Sequence, residues 1–154
     1  MTHHHATIDW SRADQPFTDK RYSRAHVWSF DGGATVAGSS APFSVPVPMS
    51  DASAVDPEEA MVASLSSCHM LWFLAFAAEA GWVVDRYLDT ASGELGRDEV
   101  GRRMMTVVTL RPVTTFSGPA PDQAALDALH HRAHDHCDMA NSVKAQIVVE
   151  ASFG

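Results

Sequence analysis

At 154 residues, 45% hydrophobic and 19% charged, the chain has room for one globular domain with a real core and is not a disordered polymer. Its formal charge is −8 and its eleven basic residues form no stripe, which argues against a phosphate-neutralising nucleic-acid surface. No basic, apolar and small-residue leader pattern opens the sequence, and two cysteines make a poor secreted disulfide framework. A cytoplasmic location is therefore expected, where a cysteine pair is either a redox couple or two buried thiols.

The first elements read as strands. Ala6 to Trp10 alternates, Pro16 interrupts a polar connection, and Tyr22, Arg24, His26, Trp28 and Phe30 share one face at a period of two. Asp31-Gly32-Gly33 then gives a hairpin signal, because glycine accepts the positive φ of a tight turn. Pro42, Pro46 and Pro48 make the next stretch extended.

A helix is predicted from Asp56 to Ala80. Asp56 caps it, Pro57 suits the first helical position, Glu59 completes a capping box, and Gly81 stops it. Between Ala60 and Ala78 the only polar residues are Ser64, Ser66, Ser67 and His69. A helix apolar on every side is buried in lipid or protein. The serines, the histidine and the lack of flanking basic residues disfavour a membrane span. A second subunit covering part of the helix is expected instead.

Beyond Gly81, strands are predicted over 83–95 and 103–113, joined by a polar turn around 97–101. A second, amphipathic helix over 122–137 carries Leu126, Leu129, Ala133 and Cys137 on one face, and a last strand spans 143–151. Strands lying before, between and after two helices give an α+β fold.

Cys68 lies within the first helix and Cys137 ends the second. A thiolate attacking a peroxide becomes a sulfenic acid, which a second thiol condenses to a disulfide. Two helices supply such a pair when they bring the Cβ atoms to ~4 Å. The plainer reading is two inert buried thiols. Glu58 is either a helix-dipole partner or a carboxylate orienting an arginine, and ~15 Å of straight helix separates it from Cys68. His130 and His134 have the i, i+4 spacing of metal-binding pairs and with Cys137 would make a transition-metal site, although no C-x-x-C or H-E-x-x-H accompanies them.

Asp56-Pro57-Glu58-Glu59-Ala60, followed by Ala63-Ser64-Leu65-Ser66-Ser67-Cys68-His69-Met70, resembles the signature helix of the OsmC/Ohr family of organic hydroperoxide resistance and osmotically inducible proteins. Cys137-Asp138-Met139-Ala140-Asn141-Ser142-Val143 is similar to the second signature, a cysteine late in a helix before a small polar stretch and a strand. The likeness covers nearly the whole chain. His69 after Cys68, and Asp138 where proline is common, mark a divergent branch.

The resemblance implies a single domain over 1–154 in which antiparallel sheets enclose long buried helices of an intertwined homodimer, with active sites at the subunit interface. It implies a peroxidase acting on organic hydroperoxides, with Cys68 peroxidatic, Cys137 resolving and Glu58 holding the catalytic arginine. Among Arg12, Arg21 and Arg24, Arg24 is the choice because it shares the Tyr22–His26–Trp28 face. A lipoylated or thioredoxin-like dithiol would be the reductant, and neither cofactor nor metal takes part. Apolar Met70, Trp72 and Phe73 would favour organic over hydrogen peroxide. A non-catalytic small-molecule binder on the same fold and a His/Cys metal protein are the alternatives.

Overall fold

A computed structural model describes all 154 residues, which divide into two compact units, 1–60 and 61–154. In the first, β1 (Ala6–Asp9), β2 (His26–Phe30) and β3 (Thr35–Gly38) form an antiparallel sheet in the order β1-β2-β3. Ser29 pairs with Thr35 across the turn, where Gly33 has φ +86, as the Asp-Gly-Gly signal predicts. Ser39 is buried, and its hydroxyl oxygen accepts from the Asp51 N–H at 3.0 Å, tying down the proline-rich stretch that follows β3.

Helix α1 (Pro57–Glu79) starts as predicted: Glu59 N–H donates to Asp56 Oδ1 at 2.8 Å, and Asp56 N–H donates to Glu59 Oε2 at 3.1 Å. Its length and hydropathy would suit a bilayer span. In the second unit, however, both core clusters are built on it. Phe73, Phe76 and Ala77 pack with Leu126, Leu129 and Ala133, while Leu65 packs with Met105, Val108, Leu110 and Ala145.

The two long strands expected after Gly81 are each divided. β4 (Val83–Asp89) pairs with β7 (Pro112–Ser117), and β5 (Ser92–Arg97) pairs with β6 (Arg103–Leu110). The break has a visible cause. Asp89 Oδ1 accepts the Arg111 N–H at 2.6 Å, and Pro112 follows with no N–H of its own. The ladder therefore ends at Asp89–Pro112 and restarts at Thr109–Ser92 in another sheet.

Helix α2 (Gln123–His136) is capped by Asp122, whose carboxylate accepts the Ala125 N–H. A short α3 (Asp138–Ser142), not expected from the sequence, precedes β8 (Gln146–Val149) and β9 (Ser152–Phe153). β8 joins β6 and β9 joins β7, both in parallel, giving sheets β5-β6-β8 and β4-β7-β9. Three sheets with two principal helices make the α+β architecture read from the sequence.

Candidate functional site

The second unit brings Cys68 and Cys137 together. Cys68 is half-buried in the middle of α1, whereas Cys137 is 1% exposed, and neither is in a disulfide. Cys137 follows α2 and precedes α3, where its sulfur accepts the Ala140 N–H at 3.4 Å. Burial pushes the Cys137 thiol up, to about 11, and the neighbouring Cys68 thiol adds to the effect. At neutral pH Cys137 is therefore a protonated, shielded thiol beside Cys68.

Helices α1 and α2 also bring together a pair of histidines that sequence patterning did not join. His69 of α1 and His130 of α2 are 1% and 3% exposed; their rings are parallel within 2° and Nε2 of His69 lies 3.0 Å from Nδ1 of His130. Phe73 stacks on His130 at 4.2 Å, and the Tyr87 ring of β4 lies 6.4 Å away. Burial lowers both histidines to about 4, so both are neutral at pH 7. The i, i+4 spacing of His130 and His134 points to a metal-binding pair, whereas His69 is 61 residues from His130 and no local pattern joins them.

The metal set of the alternative reading, His130 and His134 with Cys137, does not assemble: no three His, Cys, Asp or Glu side chains converge on a metal position. His130 Nδ1 is engaged by His69 instead, and His136 Nδ1 by the Arg132 carbonyl.

In the first unit, a cleft of about 460 Å³ is lined by Trp10, Phe17, Tyr22, Arg24 and Glu58 among others. Phe17 stacks on Tyr22 at 4.6 Å and Trp10 meets Tyr22 edge-on at 5.4 Å. The Arg24 guanidinium lies 3.8 Å from the Tyr22 ring centre, and its Nη1 donates to the Lys20 carbonyl at 2.9 Å and to that of Tyr22. Of the three candidate arginines, Arg24 lines the cleft with Glu58, while Arg12 donates to the Gln15 carbonyl within its own turn. Arg24 and Glu58 are not ion-paired; the ion pairs of the chain lie elsewhere. Phe73, expected to favour an organic substrate, is 0% exposed and belongs to the core. The aromatic residues that do line a cleft are Trp10, Phe17 and Tyr22.

The molecule is an α+β protein with Cys68 within α1 and Cys137 between α2 and α3, the two thiols lying beside each other. Residues 50–152 match the family described as OsmC-like protein, and the chain belongs to that family. An OsmC-like protein of unknown function from Vibrio cholerae is 48% identical, with a TM-score of 0.96 over 99% of this chain and 100% of that one. An organic hydroperoxide resistance protein from Elizabethkingia anophelis is 17% identical, with a TM-score of 0.69 over 100% and 96%. One from Legionella pneumophila is 14% identical, with a TM-score of 0.64 over 100% and 98%. At such identities these last two are alike in fold. No curated protein matches the chain.

Proposed function

We propose that the protein is a thiol-dependent peroxidase reducing organic hydroperoxides to alcohols in the cytoplasm, as a homodimer with its sites at the subunit interface. The observation that carries this reading is the meeting of Cys68 and Cys137 in a chain of the OsmC-like family. Family membership and hydroperoxide-resistance neighbours favour a redox or peroxide-resistance role, and the family is generally dimeric.

In this reading the Cys68 thiolate attacks one peroxide oxygen, the O–O bond breaks, and the departing alkoxide takes a proton and leaves as the alcohol. Cys68 is now a sulfenic acid. Cys137 attacks its sulfur, the S–S bond forms, and the sulfenic oxygen leaves as water with the thiol proton. The high affinity of Cys137 for its proton suits a resolving thiol, which stays unreactive toward peroxide until a sulfenic acid lies beside it. A lipoylated or thioredoxin-like dithiol then reduces the disulfide by exchange. In the family resemblance Arg24 activates the thiolate and Glu58 holds that arginine; within the first unit both line one cleft together with Trp10, Phe17 and Tyr22.

One equivalent of cumene hydroperoxide added to reduced protein, followed by thiol titration and peptide mass, tests the reading. Expected are a Cys68–Cys137 disulfide in the wild type, no reaction in Cys68→Ser, and a trapped sulfenic acid in Cys137→Ser. Thiols that survive in the wild type would favour the alternative of a non-catalytic binder. One observation points that way: the Arg24 guanidinium is engaged by Tyr22 and two carbonyls rather than by Glu58.

A further inference from the structure

We propose that the buried His69–His130 hydrogen bond is a positioning device that fixes α2 on α1 so that Cys137 stays within bonding reach of Cys68. The inference rests on the thiol-pair reading above and assigns that pair its structural support. His69 is the residue next to Cys68 on α1, and His130 lies two turns before Cys137 on the Leu126–Ala133–Cys137 side of α2. The bond therefore joins α1, which carries Cys68, to α2, whose C-terminal end leads directly into Cys137, ~10 Å of axial rise beyond His130.

A disulfide requires Cβ atoms roughly 3.5–4.5 Å apart, so a shift of α2 by an ångström or two decides whether it closes. Apolar packing alone tolerates such sliding, because dispersion and area burial are non-directional. A nitrogen-to-nitrogen bond at 3.0 Å between two buried rings does not, since its loss leaves buried ring nitrogens without that partner. The rings are held on more than one side. Phe73 stacks on His130 at 4.2 Å, and Tyr87 of β4 flanks both Phe73 and His130. Outside the pair, Arg132 of α2 meets Glu79 at 2.9 Å, but both side chains are about half exposed and their ion pair holds the helices weakly.

The test reads the thiols without any peroxide. Reduced protein is equilibrated with mixtures of reduced and oxidised glutathione, where the protein dithiol and one oxidised glutathione give the protein disulfide and two reduced glutathiones. The oxidised fraction then gives the effective concentration of one thiol toward the other. His69→Phe keeps the ring stack and removes the bond; it is expected to lower that concentration tenfold or more, a potential change of ~30 mV. His69→Gln keeps a side-chain amide able to reach His130 and is expected to stay within threefold of wild type.

A folded His69→Phe within twofold of wild type overturns the proposal. Should that variant not fold, His130→Phe is read in the same way. Loss of fold in both, with the Gln variant folded and normal, would show that the bond serves the fold at large and would equally overturn the positioning role. A wild type that forms the disulfide with glutathione but ignores hydroperoxide sinks the peroxidase reading and leaves this inference standing.

Discussion

Cys137 shows how one side chain serves two requirements. Its sulfur accepts the Ala140 N–H at the start of α3, and its burial beside Cys68 holds the thiol protonated. Serine is the better cap, so Cys137→Ser is expected to keep stability within ~1 kcal/mol of wild type while abolishing the disulfide. Urea unfolding of the reduced proteins checks the first half and peptide mass the second. The histidine pair predicts a pH dependence. Burial holds His69 and His130 near 4 against an unfolded value of 6.5, with His134 opposing the charge on His69, and Asp89 and Asp127 favouring protonation of His69 and His130 respectively. The unfolded chain therefore binds more protons between these values. Stability is full above about 6.5 and falls as the pH drops toward 4, by a few kcal/mol in all. Urea midpoints at pH 7 and pH 5 should differ accordingly, and His69→Phe should flatten the difference.

At the scale of elements, α1 is nucleated locally. Asp56 and Glu59 satisfy each other's backbone N–H, and Asp56→Ala should cost ~1 kcal/mol, read as a lower urea midpoint. Between β2 and β3 the constraint is closeness. A Cβ on Gly38 would stand 2.6 Å from both His26 Nε2 and Trp28 Nε1, two ring atoms hydrogen-bonded to each other. Gly38→Ala should destabilise by roughly 1–3 kcal/mol and perturb Trp28 fluorescence. Local signals of this kind were legible because their partners lie within a few residues. The strand breaks were not: residues 83–95 read as one run, and only the reach of Asp89 to Arg111 divides it.

For the whole molecule, α1 is the informative element. Leu65, His69, Phe73, Phe76 and Ala77 are buried within the chain, but Leu71 is 61% exposed on a helix apolar nearly all round. Such a face is costly to leave in water. Sedimentation equilibrium is expected to return about twice 16.7 kDa, and a monomer at micromolar concentration would refute the dimer. The α+β class, the extent and cap of α1, the amphipathic α2 and the two cysteines were legible in the residues alone, because periodicity, caps and motif spacing act over a few residues. Which long strands break, that Arg24 and Glu58 share a cleft without pairing, that Phe73 is in the core, and that His69 meets His130 emerge from the folded chain. Those outcomes depend on contacts between segments tens of residues apart, where burial and directional hydrogen bonds choose among partners that local pattern leaves equivalent.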